Sequence, residues 1–218
     1  TVYDSTYPPT TVDYTPIVRD IKATNADIDA VFSYPPDSVG MVLAAHEIGL
    51  EPKLFGVGMV GLQFAAFLSK LGPKLNGIVN YDFWVPEPTL KFRGIDEFLK
   101  KYQGKAKEAG VDPLGHYLPP WAYAYVHVLG QAIEATKSLD QKKVADYIRA
   151  SEHDTIVGKV KFSPQNGEWA TSRTLQVQFQ NIRGTDVDQF SLPGKRVVVY
   201  PEEWKSGNLI YPYSRAKQ

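Results

Sequence analysis

Within its first 84 residues the chain switches repeatedly between two hydrophobic periods, and this alternation restricts the fold more than any other feature. Val2 to Tyr7 is β-prone and stops at Pro8-Pro9. Thr15-Pro16 then reads as an N-cap followed by proline at the first helical position, where no N–H is needed, and a short helix runs to about Thr24. Ile28 to Tyr34 is a mostly apolar strand of the kind buried on both faces. Pro35-Pro36 opens a second helix with a seam at Val39, Val42, Leu43 and His46, closed by Gly49 as C-cap. Lys53 to Phe55 is a short strand. The helix after it places Val60, Phe64, Phe67, Leu68 and Leu71 on one face, and Leu75 to Trp84 is again a strand. The order β-α-β-α-β-α-β predicts a parallel sheet flanked by helices, the α/β class.

The pattern changes at Pro86-Glu87-Pro88. From about 86 to 151 only helical patterns appear. Ile95, Phe98, Leu99 and Tyr102 share one helix; Trp121, Tyr125, Val128, Leu129 and Ala132 mark a longer one. Asp140 caps a third, with Leu139 and Val144 spaced as a hydrophobic staple. Helices without strands of their own call for a sheet supplied from elsewhere, and a chain that opens inside a strand at Thr1 points the same way: N-terminal sequence is expected to precede it. After Ser151 the signals are β again: Ile156-Val157, Lys159 to Phe162, a turn at Pro164-Gln165-Asn166-Gly167, Leu175 to Gln180, and Val197 to Tyr200. The tail, rich in Pro, Tyr and Gly, is expected to lie irregularly on the surface.

Charge and composition exclude several classes. With 24 basic and 24 acidic residues and no run of five like charges, the chain lacks the basic patch of a nucleic-acid or anionic-membrane partner. It has no cysteine, which removes disulfides, thiolate metal sites and cysteine nucleophiles. Its four histidines, His46, His116, His127 and His153, never fall at a metal-binding spacing, and His46 and His127 read as structural helix residues. Neither a GxSxG elbow nor a P-loop is present, so no catalytic residues, metal site or cofactor are assigned and the chain is read as a non-enzyme. No apolar run reaches the roughly 20 residues of a membrane span.

One motif competes with that reading. Gly56-Val57-Gly58-Met59-Val60-Gly61 is G-x-G-x-x-G after a strand, with Asp82 about 20 residues on, which is the layout of a dinucleotide-binding fingerprint. An NAD-dependent oxidoreductase domain is therefore the alternative; an ordinary strand-to-helix turn explains the same glycines.

Several segments, in order along nearly the whole chain, resemble the type I periplasmic solute-binding proteins of the branched-chain amino acid (Leu/Ile/Val-binding) ABC transporter family. They are Tyr7 to Pro16, Asp29 to Phe32 with Tyr34-Pro35-Pro36-Asp37, Glu47-Ile48-Gly49-Leu50, Asp154 to Ser163, and Tyr200-Pro201-Glu202-Glu203-Trp204. The resemblance implies two α/β lobes joined by crossovers, with the ligand held between them. Residues 1–84 and 155–218 would then belong to lobe 2, and residues 85–154 would be the returning helices of lobe 1. Hinges are expected at Val85 to Pro88 and Ser151 to Ile156. The resemblance also implies an extracytoplasmic (periplasmic) monomer that hands its ligand to an ABC permease. A sensory module of the same fold is a third class.

In parallel sheets ligands bind beyond the carboxyl ends of the strands. Here those ends are Tyr34, the Val57-Gly58-Met59 turn, and Tyr81, Asp82, Phe83 and Trp84, which together form the expected ligand-binding set. The helix N-termini after the first two favour a carboxylate. Tyr34 matches the family's ligand-contacting tyrosine. The family's amino-acid binders carry an acid in the turn aligned with Val57-Gly58-Met59, which pairs the ligand's ammonium; this chain has none there. The expected ligand is an aromatic or other organic acid, with Met59 as an apolar wall. Branched-chain and other amino acids come next, for which Asp82 would have to face the cleft.

Overall fold

The computed structural model describes residues 1–170 and 173–217. These fall into two compact units, one formed by residues 1–89 and 175–217 and the other by the described part of residues 90–174.

The first unit is built on a five-stranded mixed sheet in the order β1-β2-β3-β6-β7. Strands β1 (Ile28–Ser33), β2 (Leu54–Met59) and β3 (Val79–Asp82) run parallel, as the alternating pattern predicts. Strands β6 (Leu175–Phe179) and β7 (Arg196–Tyr200) join antiparallel. Helix α1 (Thr15–Ala23) precedes β1, and helices α2 (Pro35–Ile48) and α3 (Ala65–Leu71) are the crossovers. Gly49 ends α2 in the left-handed conformation at φ 65°, as a C-terminal glycine should.

Several local expectations fail for physical reasons. Val2 to Tyr7 forms no strand. β-propensity without a neighbouring edge leaves the backbone unpaired, and this segment is instead pinned by side chains: the hydroxyls of Tyr7 and Tyr14 both donate to the Asp37 carboxylate, at 3.3 and 2.9 Å. β1 is not buried on both faces. Among the described strands it lies at the end of the sheet, and its side chains alternate: Asp29, Val31 and Ser33 are buried while Ile28 and Phe32 are 60% and 74% exposed. In α2 the buried set is Ser38, Val39, Met41, Val42, Ala44 and Ala45, and Leu43 is exposed, because α2 is packed on more than one side. The helix after β2 is shorter than its apolar pattern suggests. A 3₁₀ turn at Val60–Gln63 comes first, and α3 buries only Ala65, Leu68 and Leu71.

The tail is part of the core rather than a surface coil. Gln178 donates to the carbonyls of Gly77 and Ile210 and accepts from the Ile210 N–H, and Gln180 donates to the Asn208 carbonyl. Tyr213 is 1% exposed and packs on Phe55 at 5.6 Å between ring centroids.

Asp29 faces inward on β1 and is 6% exposed, and burial pushes its carboxyl up to about 6. That lies above the roughly 3.9 of an unfolded aspartate. Its contribution to stability is therefore fully present below about pH 4 and is lost as the pH rises through about 6. Asp29→Asn is expected to melt with the wild type at pH 4 and above it at pH 7.5. A melting difference that stays constant across this range would show that Asp29 does not titrate in that window.

The second unit holds α4 (Ile95–Ala109), α5 (Pro119–Thr136) and α6 (Gln141–Ala150), followed by the hairpin β4 (Glu152–Thr155) and β5 (Gly158–Lys161). Asp140 caps α6 as expected, accepting from the Lys143 N–H at 2.9 Å, an interaction of about 1 kcal/mol. The staple is absent: Val144 is buried, but Leu139 is 80% exposed. The segment expected as a second hinge, Ser151 to Ile156, lies within this unit, where β4 pairs with β5 and Gln131 of α5 donates to the Asp154 carbonyl. Along the chain the two compact units meet at 89/90 and 174/175.

Candidate ligand-binding surface

The carboxyl ends of β1, β2 and β3 lie side by side in the first unit. Tyr34 follows β1 with extended backbone, and its side chain is 73% exposed. Phe32 stands beside it, 74% exposed, and its ring lies over Gly58: a Cβ at position 58 would come within 2.4 Å of that ring. Tyr81 lies two residues beyond Val79, the partner of Gly56, and pairs with Gln176 of β6. It is half-buried and meets Phe83 edge-on at 5.8 Å. At these strand ends Tyr34 is exposed, and Val57, Gly58, Tyr81 and Phe83 are half-buried. Phe32 was missed in the sequence because its strand reads as buried on both sides.

The other three expected ligand residues are frame. Met59 and Trp84 are 0% and 3% exposed, so Met59 is core and no wall of a site. Asp82 is buried and paired with Arg196 of β7 at 3.2 Å, while its other oxygen accepts from the Phe83 N–H at 2.8 Å. Burial raises its carboxyl above the ordinary range, and Arg196 and the N–H groups of Phe83 and Trp84 oppose the rise. A carboxylate so committed is not available to a ligand ammonium. Nor is it available to a ribose, and the dinucleotide motif fails with it. Gly56 and Gly58 lie inside β2, not at a turn. Gly56 is required because a Cβ there would meet the Val79 carbonyl oxygen at 2.0 Å, and Gly61 because one would crowd the Pro35 carbonyl oxygen at 2.7 Å.

The helix-terminus reading of carboxylate binding also changes. Pro35 and Pro36 remove two N–H groups from the start of α2, and Asp37 already places a carboxylate in that turn. After β2 the Met59 N–H donates to Asn80 Oδ1 at 2.7 Å and the Gly61 N–H to Ser38 Oγ at 3.0 Å. These donors stitch the strand ends together.

The second unit has a half-open groove of about 570 Å³ lined by Arg93, Glu97, Lys101, Tyr123, His127 and Asp154, among others. Lys101 is paired with Glu97 at 2.8 Å. His127 of α5 is exposed on this groove, and His46 is tied to the Lys74 carbonyl at 2.8 Å. Among the described residues no group of three or more His, Asp or Glu side chains could hold a metal, and no helix is long and apolar enough to cross a membrane.

A mixed α/β unit with its open surface at the carboxyl ends of parallel strands is the architecture of a small-molecule binding lobe. The chain belongs to the periplasmic binding protein family, whose sequence profile matches residues 1–182. It is 28% identical over 207 residues to the Leu/Ile/Val-binding protein homolog 8 of Brucella abortus, an alignment covering 92% of this chain and 47% of that protein. Among solved structures it resembles the leucine-, isoleucine-, valine-, threonine- and alanine-binding protein of Brucella ovis in its closed conformation, with a TM-score of 0.66, 18% identity, and 93% and 50% of the two chains covered. It also resembles a solute-binding protein of an ABC transporter from Rhodopseudomonas palustris in complex with p-hydroxybenzoic acid, with a TM-score of 0.63, 19% identity, and 97% and 53% covered. At these identities the structural likeness establishes the fold, that of the type I periplasmic binding proteins. The chain spans about half the length of the curated relatives it matches.

Proposed function

We propose that this chain forms lobe 2 and the returning helices of lobe 1 of an extracytoplasmic solute-binding protein, which delivers an aromatic or other organic acid to an ABC permease. The ligand's apolar body lies on Tyr34, the Val57-Gly58 backbone, Tyr81 and Phe83, and hinge closure of the whole protein traps it and excludes water. The observation that carries the ligand class is the state of the acids near this surface. Val57-Gly58-Met59 contains none, Asp82 is committed to Arg196, and Asp37 accepts from two tyrosine hydroxyls. An ammonium brought here would be desolvated without a partner, at a cost of several kcal/mol. The aromatic acid held by the Rhodopseudomonas palustris relative is in keeping with this chemistry.

The test is thermal melting of the full-length gene product with 4-hydroxybenzoate, benzoate, leucine and NAD. A ligand present at 100 times its Kd adds about 2.7 kcal/mol. Stabilisation by the aromatic acids alone is expected. Because Tyr34 is exposed, Tyr34→Ala should weaken that binding at least tenfold while leaving the unliganded melting temperature unchanged. Stabilisation by leucine alone would overturn the missing-ammonium argument, and stabilisation by NAD would overturn the binding-protein reading.

A further inference from the structure

The end of β2 is forked away from β3. β1 and β2 stay paired as far as Ser33 and Met59, but the β2–β3 ladder stops at Val57 and Asn80, although β3 continues to Asp82. Asn80, 1% exposed, fills the place of the missing ladder. Its Oδ1 accepts from the Met59 N–H at 2.7 Å, and its Nδ2 donates to the Met59 carbonyl at 3.0 Å. The two bonds also fix which amide atom is which, since only the nitrogen can donate to a carbonyl. One step further, Gln63 Nε2 donates to the Tyr81 carbonyl at 3.0 Å across the same fork. Two residues before the clamped Met59, Val57 holds φ 88°, a conformation that a β-branched residue almost never adopts and that persists only where the surroundings enforce it.

We propose that Asn80 is the positioning residue of the ligand surface: its two-pronged grip on the Met59 backbone holds the β2 end open from β3 and so presents Val57 and Gly58 to the ligand. This rests on the reading of that strand end as ligand-binding. Asparagine is the residue the task requires, because it alone among side chains of this size offers an acceptor and a donor in one plane at amide spacing. Aspartate keeps the acceptor and sets a second oxygen against the Met59 carbonyl; leucine keeps the volume and neither bond.

The test compares Asn80→Asp and Asn80→Leu with a distant core variant, Leu75→Ala, in the full-length protein. Two readouts are used: the Kd for whichever of 4-hydroxybenzoate, benzoate or leucine binds the wild type, and hydrogen exchange at the Met59 amide. Expected is a slow Met59 amide in the wild type and a fast one in Asn80→Leu, with Kd raised at least tenfold in Asn80→Leu and by a smaller factor in Asn80→Asp. Leu75→Ala should lower the melting temperature and keep Kd within twofold. Unchanged Kd in folded Asn80→Leu, or equal loss in Leu75→Ala, overturns the positioning role. A Met59 amide that stays slow without Asn80 overturns the clamp itself. If Asn80→Leu does not fold, Asn80→Asp carries the same two readouts. Binding of none of the three probes by the wild type counts against the ligand reading alone, and Met59 exchange still decides the clamp.

Discussion

Asp82→Ala is expected to destabilise the protein by about 3–5 kcal/mol, the usual cost of removing one member of a buried ion pair. Asp82 and Arg196 have side chains only 3% and 1% exposed, and they join β3 to β7 across the intervening β6. The alanine variant leaves the guanidinium in a low-dielectric setting without this carboxylate. It also removes the acceptor for the Phe83 N–H, which shapes the chain as it leaves β3. Asp82→Asn, which retains an acceptor oxygen, should lose less. The double variant Asp82→Leu/Arg196→Met should recover much of the loss, because an apolar pair needs no compensation. Urea unfolding followed by tryptophan fluorescence measures all three. A loss below about 1 kcal/mol in Asp82→Ala would mean that the carboxylate is not part of the frame. It would then be free to meet a ligand, and the amino-acid reading would return.

Tyr213→Ala is expected to cost a further large amount, about 3–5 kcal/mol, as aromatic truncations in a core do. Tyr213 lies five residues from the end of the sequence, yet its ring packs on Phe55 of β2, its N–H donates to the Lys53 carbonyl at 2.9 Å, and the Lys217 Nζ lies 4.3 Å from its ring centroid. Gly77 is glycine for the same reason, since a Cβ there would meet the Tyr213 ring at 2.7 Å. The hydroxyl has no protein hydrogen-bond partner among the described residues. Tyr213→Phe should therefore be neutral or slightly stabilising, which separates ring packing from hydroxyl chemistry. If Tyr213→Ala unfolds at the same urea concentration as the wild type, the tail contributes no core, contrary to its burial.

What could be read directly was local and periodic. The β-α alternation, the parallel run of β1, β2 and β3, the three helices after Pro86, the Gly49 terminator and the Asp140 cap each depend on residues within a turn or two of one another. The ordered family segments added the fold class. The candidate site was legible by position only. Strand ends can be found from a pattern, and Tyr34 is exposed at one of them. Met59 and Asp82 read equally well as ligand residues until their partners Asn80 and Arg196 are brought up, from 21 and 114 positions away.

The sequence by itself determined that the chain is α/β, that it carries no cysteine chemistry, and that its β2 end lacks an acid. Tertiary structure alone decided that the glycine motif serves close packing inside a strand, that Asp82 is bound to Arg196, and that the tail is core. The division has one physical cause. Periodicity and capping are set by neighbours along the chain, whereas burial and ion pairing are set by neighbours in space, and no pattern within a single segment records which distant residue will fill the place beside it.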